Sequence, residues 1–198
     1  MIMENVNRLR IMNAARDLFN TRGYRNVTVQ DLSEKLGMSK KTIYQYFVSK
    51  EEIAAAVLDE TMSNMDRLYD SCERDPSQSD PLTVLKLFVS LAKDEMIRLG
   101  PMFRHDLEKF LPELNGKYQK FSNEKKKRLG QLLEKAQEMG LIKEDISVHL
   151  TIEILLKCIK ALVQQDNRFQ TEDGIDLFLD IFCKGIVGLE VEESGGNG

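Results

Sequence analysis

The chain has 198 residues, 42% of them hydrophobic, which is enough to bury a sizeable core without covalent staples. Its three cysteines, Cys72, Cys158 and Cys183, are widely spaced and odd in number, which excludes a disulfide scaffold and fits a reducing compartment. A net charge of −4 argues against a general polyanion binder, yet the charge is uneven: residues 1 to 50 carry a net of +5 and the remainder a net of −9. A basic end on an acidic body is the footprint expected when only one end meets phosphate. The first ten residues lack the apolar run of a signal peptide, and no stretch approaches the roughly 18 apolar residues of a membrane span. A soluble, cytoplasmic protein without a membrane partner is therefore expected.

In chain order, the pattern is helical throughout. A first helix over about 5 to 22 sets Ile11, Ala15, Leu18 and Phe19 on one face and stops before Gly23. Three helix starts follow within 22 residues: Thr28 with Asp31 three residues on, then Ser39, then Ser49 with Glu52 three residues on. Each hydroxyl can satisfy a free backbone N–H. Leu36-Gly37-Met38 separates the first two, Gly37 supplying a left-handed stop before Ser39 opens the next helix. A fourth helix runs from Ser49 to about Arg74. Asp80-Pro81 opens a fifth over about 81 to 99, and breaks at Gly100-Pro101, Leu111-Pro112, Gly140 and Asn167 to Thr171 delimit a short sixth, a seventh near 113 to 139, an eighth near 147 to 168 and a ninth near 172 to 189. With no alternating run long enough for a sheet, the expected fold is all-α with about nine helices. The tail from 191 to 198 is expected to be disordered.

Two short helices on a tight turn, with a cationic second helix, form a helix-turn-helix pattern. The second helix of such a pair enters the major groove while the first braces on the backbone, so the second needs polar and cationic residues on one face and apolar ones on the other. Over 39 to 47, S-K-K-T-I-Y-Q-Y-F, Ile43 and Phe47 point inward with Leu32 and Leu36, leaving Lys40, Lys41, Thr42, Tyr44, Gln45 and Tyr46 for DNA.

Residues 23 to 53, G-Y-R-N-V-T-V-Q-D-L-S-E-K-L-G-M-S-K-K-T-I-Y-Q-Y-F-V-S-K-E-E-I, resemble the DNA-binding signature of the TetR family of regulators. The framing residues Gly23, Thr28, Gly37, Ser39, Thr42, Tyr44, Phe47 and Lys50 are kept. Ser33 stands where alanine is usual, with a hydroxyl able to bond back to a helix carbonyl, and Lys41 stands where glycine is common. The resemblance implies that Thr28, Tyr44, Tyr46 and Lys50 hold phosphates and that Lys40, Lys41, Thr42 and Gln45 reach for bases, with Ser39 in the same DNA-facing set.

It also implies an N-terminal three-helix bundle over 1 to 50 that binds double-stranded operator DNA. A larger dimerisation and effector domain over 51 to 190 completes the chain, and the whole acts as a homodimeric repressor released from a palindromic operator by a small molecule. Helices eight and nine are apolar round much of their circumference, as expected where a second layer packs on them. Ile152, Leu155, Leu156, Ile159, Leu162, Val163, Ile175, Phe178, Leu179, Phe182 and Ile186 are the candidate dimer contacts. The candidate effector lining is Met65, Tyr69, Phe88, Met96, Met102, Phe103, His105, Phe110, Tyr118, Phe121 and Cys158, a set of a kind that more often forms plain core.

No phosphate-binding loop, dinucleotide fingerprint, zinc-protease motif or nucleophile elbow is present, so neither an enzyme nor a cofactor or metal site is expected. His105 with Glu108 offers at most half a metal site, and Lys125-Lys126-Lys127-Arg128 reads as a solvated helix face. Two alternatives stand beside the main reading: the same DNA-binding fold switched by cysteine oxidation, and a helical partner-binding module without DNA.

Overall fold

A computed structural model describes residues 2 to 73, 80 to 164 and 172 to 187. These form nine α-helices: α1 (Ile2–Arg22), α2 (Val29–Leu36), α3 (Lys40–Tyr44), α4 (Lys50–Glu73), α5 (Pro81–Leu99), α6 (Pro101–Phe110), α7 (Pro112–Glu138), α8 (Val148–Gln164) and α9 (Glu172–Ile186). The fold is all-α, as the punctuation of the sequence predicts. The expected break at 167 to 171 and the tail from 191 lie outside the described residues.

The helices fall into two compact units. The first comprises residues 1 to 74 and 88 to 125. Its core takes Ile11, Ala15, Leu18 and Phe19 from α1, Leu32 from α2, Ile43 from α3 with Phe47 just beyond it, and Ile53, Ala54, Val57 and Leu58 from α4. To these α5 and α6 add Leu99, Phe103 and Leu107. Burying an aliphatic or aromatic side chain of this size stabilises by about 1.5–3 kcal/mol, which outweighs the weak propensity of helices as short as α2 and α3. Phe19 anchors the cluster, its ring 5.3 Å from Tyr24 and 5.1 Å from Phe103.

The second unit comprises residues 75 to 87 and 126 to 198. Its buried residues include Leu82 and Leu85 of α5, Leu129 and Leu133 of α7, Ile152, Leu155 and Ile159 of α8, and Ile175, Leu179 and Ile186 of α9. Lys126 pairs with Glu153 across α7 and α8, and Lys86 with Asp180 at 2.7 Å across α5 and α9.

The basic run on α7 is not a plain solvated face. Lys125 is buried, pairs with Asp66, and holds its ammonium 5.2 Å from both the Tyr69 and Phe121 rings. Long stems and cation–π contacts let a lysine lie against aromatic surface in this way, an arrangement that charge counting along a sequence overlooks.

Candidate nucleic-acid interface

The caps expected from the sequence set the geometry of the reading head. Thr28 accepts the Asp31 backbone N–H at 3.2 Å while the Asp31 carboxylate accepts the Thr28 N–H at 2.7 Å, a reciprocal capping box that opens α2. These bonds hold the Asp31 carboxyl below its ordinary pKa, the Thr28 hydroxyl contributing most. Gly37 closes α2 in the left-handed region at φ 63°. Ser39 then accepts the Thr42 N–H at 3.0 Å, and the two hydroxyls lie 2.8 Å apart. Ser33 differs from expectation: its hydroxyl donates forward across the turn to the Met38 carbonyl and so staples α2 to the entry of α3.

Ile43 and Phe47 are buried at 0% and 1% exposure, which fixes the opposite face of α3 outward. Ser39, Lys40, Lys41, Tyr44 and Gln45 are exposed and Thr42 is half-buried, and no acidic residue interrupts the set. The helix ends at Tyr44, one turn earlier than the pattern to Phe47 predicts, so Gln45 caps it and Tyr46 lies in the following turn. Tyr46 is tied back to α1, its hydroxyl accepting from Asn7 at 3.1 Å and its carbonyl from Arg8 at 3.3 Å. The Arg8 guanidinium stacks 4.3 Å from the Phe47 ring centroid. Nothing in the sequence pattern marks Asn7 or Arg8 for this bracing, because the contact spans 38 and 39 residues.

Lys50 has a structural duty beside the one expected of it. Its ammonium donates to the carbonyls of Tyr24 at 2.9 Å and Val27 at 2.8 Å and sits 4.1 Å from the Tyr24 ring centroid. Burial pushes its pKa down, against the opposing pull of Asp106 and Asp31. Two of its three N–H groups are therefore committed to the α1–α2 turn, and at most one remains for a phosphate. Lys50→Ala should leave two half-buried carbonyls without these donors and lower stability by about 1–3 kcal/mol, with weaker operator binding at every sequence alike. Thermal melting beside titration against several duplexes checks this; an unchanged melting curve contradicts the tether.

The α1–α2 turn also meets α6. Gly23 takes φ 79°, and a Cβ there would stand 2.8 Å from Oδ2 of buried Asp106, which accepts the Arg25 N–H at 3.4 Å. Beside it runs a groove of about 310 Å³ lined by Arg22, Arg25, Asn26, Met102, His105, Lys109 and Phe110.

That groove redraws the expected effector lining. Met102, His105 and Phe110 are exposed on the outer flank of α6, and Phe103 is core of the head. Tyr69 and Phe88 are buried edge to face at 4.9 Å, while Met65, Met96, Tyr118 and Phe121 are half-buried in the same unit. Cys158, half-buried on α8, belongs to the other unit. A second cleft, of about 430 Å³, is lined by Asp80, Leu82, Thr83, Lys86, Cys183, Lys184 and Val187 and contains none of the expected residues.

The expected dimer contacts are likewise rearranged. Ile152, Leu155, Ile159, Ile175, Leu179 and Ile186 are buried inside the chain's own core, leaving them no surface to offer a partner. Leu156, Leu162, Phe178 and Phe182 are half-buried, and the side chain of Val163 lies outside the described residues. The outward stripes are instead Leu150 and Ile154 on α8 and Leu177 and Ile181 on α9, each more than half exposed.

The Cys183 thiol is buried, and its desolvation raises its pKa, which disfavours the thiolate that oxidation needs. The side chain of Cys72 lies outside the described residues. Among the described residues no helix is long and apolar enough to cross a membrane, and no group of three or more His, Cys, Asp or Glu side chains is placed to hold a metal ion.

A capped two-helix turn with a cationic outward face and a buried apolar back is the reading head of a DNA-binding transcriptional regulator. Residues 11–57 match the family described as "Bacterial regulatory proteins, tetR family". The chain is 25% identical over 171 residues to the uncharacterized HTH-type transcriptional regulator YvaF of Bacillus subtilis, covering 82% of this chain and 87% of that one. Its fold is similar to that of the ketosteroid transcriptional regulator KstR2 of Mycobacterium tuberculosis, with a TM-score of 0.78 at 19% identity over 92% of this chain and 95% of that one. A putative transcriptional regulator from Saccharomonospora viridis, solved in complex with choline, matches at a TM-score of 0.78 and 21% identity over 93% of this chain and 99% of that one. Over residues 11–57 the chain is thus similar to bacterial regulators of the tetR family, and its overall fold is similar to that of solved transcriptional regulators.

Proposed function

We propose that the chain is a homodimeric repressor that reads a palindromic operator through α3 and leaves it when a small molecule binds the larger helical region beyond about residue 50. The observation that carries the reading is the outward set Lys40, Lys41, Tyr44 and Gln45 over the buried pair Ile43 and Phe47. Lysine and glutamine at base edges discriminate guanine or adenine, and the exposed hydroxyls of Ser39 and Tyr44 support phosphate contacts, whereas the Thr28 hydroxyl and N–H are both committed to Asp31.

Exposure supports the dimer. Leu150 at 59% and Ile154 at 55% lie four residues apart on α8, and Leu177 at 61% and Ile181 at 63% four apart on α9. Exposed apolar stripes of this size are the usual mark of a protein contact, and paired α8 and α9 from two copies bury both stripes. Two heads on one twofold axis then require half-sites about 34–36 Å apart. Ile154→Asp combined with Ile181→Asp should yield a monomer by sedimentation and lower operator affinity at least about 100-fold, since each half-site is then held by one head alone. A variant that stays dimeric contradicts the assignment of this face.

The choline complex of the Saccharomonospora viridis protein supports a small-molecule effector here as well. Titrating metabolites into the protein–operator complex and following release tests that part.

A further inference from the structure

Arg104, half-buried on α6, stands out for its guanidinium. Its Nε and Nη2 are both shielded from solvent and neither has a hydrogen-bond partner. Arg16 makes the contrast: its Nε is also unpartnered, but its other two nitrogens bond Asn13 and Glu60. An arginine cannot escape burial by losing its proton, as a lysine or a carboxyl can, so two shielded and unused guanidinium donors are a standing cost unless something else completes them.

The two idle donors are a matched pair. Nε–H and one Nη2–H point the same way along one edge of the plane, at the spacing of the two oxygens of a carboxylate or phosphate. At 100° per residue, Arg104 lies on one flank of α6 and Met102, His105 and Lys109 on the other. The outer groove is lined by the second flank and does not include Arg104. The donors are therefore separate from the groove beside Gly23, and Phe103 and Leu107 form the buried apolar strip next to them.

We infer that Arg104 is the anchoring residue of the effector site and that the effector is an organic oxyanion gripped by the Nε–Nη2 edge. This deepens the reading of the chain as ligand-responsive and rests on it. A neutral amide isostere offers one acceptor oxygen and no charge, so it satisfies only one of the two donors, and the site selects for charge and for two coplanar oxygens.

The test uses the full-length chain with a panel of alkyl and aryl carboxylates, each beside its primary amide and the phosphate monoester of the matching alcohol. Binding is read by calorimetry and operator release by fluorescence anisotropy. At least one anion should bind at least about tenfold more tightly than its amide, the difference between a charge-assisted pair and a neutral contact. Arg104→Gln should bring that ratio close to one, and Arg104→Lys should keep part of it. A phosphate monoester outranking its carboxylate assigns the oxyanion to phosphate and keeps the arginine's role.

An Arg104→Gln protein that retains the preference overturns the proposal. So does a panel in which no anion binds wild type better than the variant, or in which inorganic sulfate or phosphate binds as well as any organic anion. A ligand-free measurement stands beside it: Arg104→Met should raise the melting temperature of the empty protein by about 2–4 °C, and a fall shows that the protein already pairs the guanidinium and overturns the site. An anion that binds through Arg104 yet leaves the operator bound refutes the ligand-responsive reading and leaves the site standing.

Discussion

Replacing Lys40 and Lys41 together with alanine should lower operator affinity by about 30-fold to about 10⁴-fold while leaving the melting temperature within about 1 °C. Both side chains are exposed at the start of α3, so the fold does not depend on them. If one of the two lysines lies at a base edge it contributes about 1–3 kcal/mol of discrimination, and a dimer presents it twice, giving about 2–6 kcal/mol. To the extent that either lysine meets phosphate instead, the slope of log affinity against log salt should flatten by about 0.9 for each phosphate that is no longer neutralised. Titrations at three salt concentrations separate the two roles: a sequence-dependent weakening at constant slope marks base reading, and a uniform weakening with a flatter slope marks phosphate binding. An unchanged affinity contradicts the assignment of α3 as the reading helix.

Gly23→Ala should be among the damaging small substitutions in the head, costing about 2–5 kcal/mol. The left-handed backbone at φ 79° costs a side-chain-bearing residue about 1–2 kcal/mol, and the added Cβ meets the Asp106 carboxylate at 2.8 Å. Displacing that buried oxygen from the Arg25 N–H adds about 1–3 kcal/mol. For a chain of this size the melting temperature should fall by about 4–20 °C. Gly37→Ala is the control, because its φ is 63° but nothing lies within 4 Å of the new atom, so only the backbone strain applies. Equal destabilisation at the two glycines would contradict the role given to Asp106.

Much of the head is legible in the sequence because its determinants are local. Thr28 with Asp31, Gly37, Ser39 and Ser49 with Glu52 each act within a few residues, and every helix boundary expected from such signals falls close to an observed one. The inward assignment of Leu32, Ile43 and Phe47 rests on period 3.6 alone and agrees with their burial.

Contacts distant in sequence leave no such trace. Lys50 satisfies carbonyls 23 and 26 residues away, and Asp106 reaches the Arg25 N–H across 81, so neither duty has a spacing to recognise. On α8 and α9 apolar residues occupy both faces. Periodicity can show that two faces are to be covered, but not that Ile152 and Leu155 turn inward and Leu150 and Ile154 outward. The Met and aromatic set fails as a pocket marker for a related reason: Phe103 fills the head's core by the same chemistry that would line a cavity. Arg104 gives no signal, since an unpaired arginine is visible only once its neighbours are placed.

Selection of bound sites from a pool of random duplexes by the purified full-length chain tests the central claim most directly. Recovery of a palindrome whose half-sites are centred about one helical turn apart, or a whole number of turns, would establish both the reading by α3 and the twofold arrangement of two heads. Recovery of asymmetric sites, or of no enriched sequence at a salt concentration where the protein still binds DNA, would contradict it.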